Sequence, residues 1–199
     1  SDSEHYGINS SICSDEDYHY ILCQSRAGMT QSAQERLICK NNQGETVWEV
    51  ELPDTLSIRD IAASHGMLYL AGLTGEMDEY GNLLIDQKGI LLCFDQLGNK
   101  RWEQVYPDIA SYFWLSLPNA EGCYAFASDY ATDIMQTYIV SVYPDGVTER
   151  AGYLIGSVTT ALYSRFFLTE DGSLMQAGKM ITGEVEGVRM GSIYITTIE

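Results

Sequence analysis

Arg59 and Arg165 each stand seven residues ahead of the glycine of a short polar turn, His65-Gly66 and Asp171-Gly172, and they are two of only 11 basic residues in a chain of 199. A pair of guanidinium groups held at one level is the chemistry that clamps a carboxylate, sulfate or phosphate through forked hydrogen bonds. The same count reaches Ser11 and Leu115, and Tyr112 and Tyr163 lie close by. A ligand carrying an anionic group is the expectation from this column. The alternative is that each arginine pairs with a neighbouring acid, such as Asp60 or Asp108, and fills space. Asp54 and Asp108 join the candidate binding residues because they follow prolines at matching positions, Pro53-Asp54 and Pro107-Asp108. Read locally, the proline of such a pair ends a strand and the aspartate caps the turn after it.

Other reactive side chains point to less. His5, His19 and His65 fall near the start of the chain or in short turns, and none has a serine or cysteine at a spacing that suggests a nucleophile and its base. Two carboxylates with aromatic support from Tyr112, Trp114 and Tyr130 could hydrolyse a glycoside, but acids are so abundant that nothing selects the pair. No catalytic residue is therefore assigned. Residues 76–82 with Asp86 gather oxygens suited to a hard cation. They match no EF-hand spacing and read as a solvated acidic turn, so neither a metal nor a cofactor is expected. Five cysteines leave at least one unpaired. Cys39 and Cys93 read as small core residues, whereas Cys13 and Cys23 flank one turn symmetrically and could face each other as a disulfide across a hairpin.

The elements that would position these groups repeat. Cys39, Gly44, Trp48, Glu49, Pro53 and Asp54 recur 54 residues later as Cys93, Gly98, Trp102, Glu103, Pro107 and Asp108. A third copy has Ser141 and Gly146 at the same spacing, and a fourth reaches Thr196. Apolar runs at each anchor, 37–38, 91–92, 139–140 and 194–195, imply strands covered on both faces. Upstream lie second strands at 20–23, 68–72, 124–127 and 174–178, each preceded by a Gly- or Asp-containing turn and a first strand at 8–13, 58–63, 112–117 and 163–168. Segments 46–52, 100–106 and 147–153 make a fourth strand.

Each copy is thus a four-stranded antiparallel meander of about 50 residues, which predicts an all-β propeller of about four blades. A two-sheet sandwich is the runner-up. One domain spans the chain, with blades near 1–54, 55–108, 109–157 and 158–199. The last blade either lacks its outer strand or takes one from residues 1–6. The Gly-led turn, the outer-strand tryptophan and the clearest copy, "ILLCFDQLGNKRWEQVY", resemble bacterial β-propeller repeats of the PQQ-like, quinoprotein-like type. The resemblance implies the fold. Quinone-dependent dehydrogenases of that class carry a metal and cofactor pocket for which no matching residues occur here, so binding and assembly scaffolds with the same blades are the nearer analogy.

In such a meander the loops 28–34, 73–89, 129–136 and 179–191 share one face with the blade-to-blade connections, and their unequal lengths make that face the expected seat of recognition. A formal net charge of -17 disfavours nucleic acid and anionic membrane surfaces as partners. The expectation is a non-enzymatic binding or interaction module for a protein, a carbohydrate or an anionic small ligand. High Tyr, Gly and Asp with little Lys lean toward an extracytoplasmic or cell-surface setting in a bacterium. The alternatives are a carbohydrate-active hydrolase and a structural module that associates through the unfinished fourth blade.

Overall fold

The repeating Tyr, Cys and Trp positions become successive strands of small antiparallel sheets. The computed structural model describes residues 11–25, 34–77, 83–107, 112–118, 122–129, 136–146, 148–154, 165–171, 173–185 and 188–197. The first sheet runs in the order β1 (Ser11–Ser14), β2 (Tyr18–Ser25), β3 (Gln34–Asn41), β4 (Thr46–Glu51). The second holds β5 (Leu56–Ser64), β6 (Met67–Met77), β7 (Leu83–Asp95) and β8 (Lys100–Tyr106). The third holds β9 (Tyr112–Pro118), β10 (Cys123–Asp129), β11 (Gln136–Val142) and β12 (Thr148–Leu154), and the fourth holds β13 (Arg165–Leu168), β14 (Leu174–Val185) and β15 (Val188–Thr197). Among the described residues every regular element is a strand. The first strands of successive sheets lie side by side, β1 by β5, β5 by β9 and β9 by β13, which is the radial arrangement of propeller blades.

Because side chains alternate across a strand, each sheet presents two flanks. Tyr20, Leu37 and Cys39 of the first sheet pack with Ile61, Leu70 and Leu92 of the second in one buried cluster. On its other flank the second sheet packs Tyr69, Leu91 and Cys93 with Ala125, Val140 and Val142 of the third. That double burial is why residues 90–94 are apolar without alternation.

The first two seams are each closed by a tryptophan. The turns after β3, β7 and β11 share one design: Gly44, Gly98 and Gly146 adopt φ of 82°, 81° and 88° and donate their N–H groups to the carbonyls of Asn41, Asp95 and Tyr143. Side-chain oxygens of Asn41 and Asp95 accept further turn amides. Trp48 donates its indole N–H to the Gln96 carbonyl at 2.8 Å and lies on Gly98, where a Cβ would come within 2.9 Å of the ring. Trp102 repeats this against the Pro144 carbonyl, 3.1 Å, and Gly146. Glycine here provides both the left-handed backbone and the space for the ring. Strand β12 carries no tryptophan, and the next seam differs accordingly: Ile195 is 63% exposed, although its repeat equivalents Leu92 and Val140 are buried.

Two expectations are corrected here. Register places Cys13 opposite Tyr20 and Cys23 opposite Arg36, so an odd number of ladder positions puts the two cysteines on opposite flanks. They cannot bridge, and all five cysteines are free. The segments read as loops at 73–89 and 179–191 are largely ladder: β6 and β7 stay paired out to Met77 and Leu83, and β14 and β15 out to Val185 and Val188. The fourth sheet has three strands among the described residues, and any contribution of residues 1–6 lies outside them.

Burial pushes the Cys13 and Cys93 thiols up to about 12 and the Cys39 thiol up to about 11, from an ordinary 9.0. At Cys13 the nearby Asp60 and Asp15 carboxylates reinforce it. The folded state holds these protons more tightly than the unfolded chain, so their contribution is complete below pH 9 and is lost as pH rises through the folded values. The urea midpoint should therefore hold through pH 8 and fall between pH 9 and about 12. Cys39→Ala with Cys93→Ala should flatten that fall; an unchanged slope would mean the thiols are not held protonated.

Candidate binding face

The connection from β4 to β5 anchors the end of the fold that carries the hairpin arms. Pro53 follows the end of β4, and its carbonyl accepts the Leu56 N–H at 2.9 Å, closing a turn with Asp54 exposed at its start. The Thr55 carbonyl accepts the Gly75 N–H at 3.2 Å, tying this turn to the base of the β6–β7 arm. Backbone hydrogen bonds close the turn, and Asp54 stands exposed within it.

Beneath the turn sits Glu35, 4% exposed. Its carbonyl accepts the Leu52 N–H and its carboxylate accepts the backbone N–H of Ile58, both at 2.8 Å, so a single residue ties the first sheet to the first strand of the second. Strand β5 bulges here: Ile58 pairs with Gly72 and Asp60 with Ala71, leaving Arg59 as the inserted residue. Gly72 permits this, since a Cβ would lie 2.2 Å from the Ser57 carbonyl oxygen. Arg59 is exposed.

The other sequence candidates fall as follows. Arg165 opens β13 opposite Ala177, and Tyr112 opens β9 opposite Ser128. Tyr163 and Asp108 lie outside the described residues. The two arginines do not share a row. Pairing from the anchors sets Arg165 level with Leu115 and Ile61, whereas Arg59 lies two residues nearer the arm end of β5. Counting from the turns assumes turns of equal length, but the second sheet turns between Ser64 and Met67 and the fourth between Leu168 and Leu174. Of the acidic segment, Glu76 and Asp86 are exposed on the β6–β7 arm, Asp86 with a φ of 50°, and residues 78–82 lie outside the described ones.

At the opposite end two histidines do have serine neighbours, contrary to expectation. Ser14 Oγ lies 2.8 Å from His19 Nδ1, and Ser64 Oγ lies 2.7 Å from His65 Nδ1. Both pairs sit in the short turns between the first two strands, where a hydroxyl-to-imidazole bond stabilises the turn itself. Among the described residues no three His, Cys, Asp or Glu side chains are grouped to hold a metal ion, and no helix is long and apolar enough to cross a membrane. What the arm-bearing end offers chemically is a polar rim, with Asp54, Glu76 and Asp86 as acceptors and Arg59 as a forked donor. Sequence reasoning missed Glu35. Its signal is a charged residue four positions ahead of the anchor, where the other copies have Gly89, Thr137 and Ser192.

No family model and no curated protein matches this chain. Among solved structures it is similar to the parainfluenza virus 5 hemagglutinin-neuraminidase ectodomain, with a TM-score of 0.61 at 9% identity over 99% of this chain and 57% of that one. A protein of unknown function from Bacteroides caccae gives 0.47 at 13% identity, covering 89% of this chain and 55% of that one. Pyrococcus horikoshii acylaminoacyl peptidase gives 0.42 at 10%, covering 93% and 37%. The first likeness supports the propeller fold and nothing finer. The chain spans little more than half the length of that ectodomain.

Glu35→Ala leaves the Ile58 N–H buried without its acceptor and should cost about 1–3 kcal/mol in urea unfolding. Glu35→Gln keeps an acceptor oxygen and should cost less. Equal losses for both would show that the charge, rather than the hydrogen bond, matters.

Proposed function

We propose that this chain is a non-enzymatic binding module that engages a protein, a carbohydrate or a small anionic ligand through the end bearing the hairpin arms, and that it acts outside the cytoplasm as part of a bacterial protein of quinoprotein-like blade type. The observation that carries the reading is Arg59: a guanidinium on an inserted bulge residue, exposed at the arm end of an inner strand, in a chain whose net charge is -17. Bulges commonly re-aim a side chain beside a functional site. A forked donor on an acidic surface selects ligands with a localised carboxylate or sulfate and disfavours polyanions, which the net charge repels. The Gly-turn and tryptophan seams support the blade type, because they repeat the residues on which that resemblance rests.

Arms that stay hydrogen-bonded as two-stranded ribbons, on a frame of stacked sheets, suit recognition by a preorganised surface. Calorimetric titration of a neutral trisaccharide against sialyllactose and trigalacturonate tests the anionic preference. An acidic sugar should bind where the neutral one does not, and Arg59→Ala should weaken that binding by about 10-fold or more, the loss typical of a hydrogen bond to a charged group, with the melting temperature nearly unchanged. A variant that binds normally, or one that loses its stability, would count against the role given to Arg59. Binding by none of the sugars would remove the saccharide reading.

A further inference from the structure

The seam between sheets is made twice among the described residues, and one half of it is present a third time with no described residue seated on its glycine. In both finished seams the following sheet contributes the same parts: a turn glycine that seats an indole ring, a carbonyl three residues past the anchor that accepts the indole N–H, and an apolar cross-strand row. For the second sheet these are Gly98, Gln96 and the row Ile61, Leu70, Leu92, buried to 4%, 0% and 2% exposure. For the third they are Gly146, Pro144 and a row containing Ala125 and Val140.

The first sheet carries the same parts on its outward flank. Gly44 ends an identical turn with a φ of 82°, and no atom of the described residues comes within 4 Å of where its Cβ would stand. Asn42 holds the place of Gln96, and Ile12, Ile21 and Ile38 pair across β1, β2 and β3 as the apolar row. Ile12 is 66% exposed where its equivalent Ile61 is buried. A left-handed glycine with open space above it, backed by three aligned isoleucines, reproduces an interface this protein already uses twice.

We infer that the outward flank of the first sheet is a socket for a further propeller blade of the same class, whose outer-strand tryptophan seats on Gly44 and donates to the Asn42 carbonyl. This inference stands apart from the arm-end reading, since it concerns a different surface and a protein occupant. The occupant's chemistry follows from the seams: an antiparallel sheet with an aromatic second strand and a tryptophan on its fourth. A second copy of this chain is poorly suited. Its outer-strand tryptophans, Trp48 and Trp102, are already seated, and Trp114 belongs to the inner strand β9. Residues 1–10 contain no tryptophan. The flank departs from the finished seams at two rows: Arg36 bonds Glu49 at 2.7 Å in the place that Ile90 takes in the second sheet, and Ser14, His19 and Lys40 stand where the second sheet has the buried Ala63, Leu68 and Phe94. The occupant therefore meets polar and charged groups toward both ends and apolar surface in the middle.

The test supplies a blade. Residues 1–54, repeated ahead of the full chain, give a fusion whose added Trp48 can reach the original Gly44. Hydrogen exchange across segment 11–25 of the original chain should slow by at least about 10-fold, the change expected when an exposed strand gains a cooperative neighbour, and the melting temperature should rise. Replacing the added tryptophan by alanine, or the original Ile12 by aspartate, should erase both effects, while Ile12→Asp leaves the unfused chain's melting temperature unchanged. A second fusion that adds residues 55–108 instead, bringing Trp102, guards against misfolding of the first. Unaltered exchange in both fusions would overturn the inference. So would an Ile12-dependent dimer of the unfused chain in sedimentation, which would make a second copy the occupant.

Discussion

The contact between one sheet's tryptophan and the next sheet's turn glycine is the constraint on which the rest of this structure depends. A sheet of four short strands has two faces to bury and too little area to be stable alone. Stacking solves this only if neighbours meet at a fixed spacing and register. The indole sets both: its ring lies on Gly98 or Gly146, where any side chain would intrude, and its N–H is satisfied by a carbonyl two residues before that glycine. A partly buried tryptophan needs such an acceptor. Tyr20 and Tyr69 lie 6.1 Å and 6.2 Å from Trp48 and Trp102, centroid to centroid, so each ring is also supported from within its own sheet. The third and fourth sheets meet without this device, and the exposure of Ile195 and Phe167 there fits a looser junction.

That frame determines what the arm end can do. The first two sheets are held by the Trp48 seam at the turn end and by Glu35 at the arm end, so β5 enters with its bulge already fixed. The bulge brings Arg59 out of the ladder next to a turn that is itself tied to the β6–β7 arm. Sheet packing, a buried carboxylate and an exposed guanidinium thus form one continuous chain of causes, and recognition at this end draws on rigidity made elsewhere.

The strands were legible because their anchors recur: each tyrosine or glutamine of a second strand pairs with the Cys, Ser or Thr of a third, and the first two copies add a tryptophan on the fourth. The arms were not legible. A two-stranded ribbon that projects past the sheets has no side to bury, so Thr74, Glu76 and Lys88 show none of the alternation that betrays a strand. The arginine column failed because turn length varies between copies, and position along a strand follows from pairing rather than from distance to a turn. The Cys13 and Cys23 expectation failed on parity alone, since symmetric distance from a turn does not ensure a common flank. Glu35 occurs in one copy only, so a search for repeats passes over it; its role becomes visible once Ile58 is placed opposite it.

The central claim is that Gly98 is small because Trp48 rests on it, and one double-mutant cycle reads this directly. Gly44 and Gly98 have the same turn and nearly the same φ, so alanine at either incurs the same backbone strain, while only Gly98 lies beneath a ring. Measured by urea unfolding, Gly98→Ala should be more destabilising than Gly44→Ala by about 1 kcal/mol or more, and this excess should disappear when Trp48 is also alanine, a coupling within the range found for residues in contact. Equal costs at the two glycines, with additivity between Gly98→Ala and Trp48→Ala, would contradict the account.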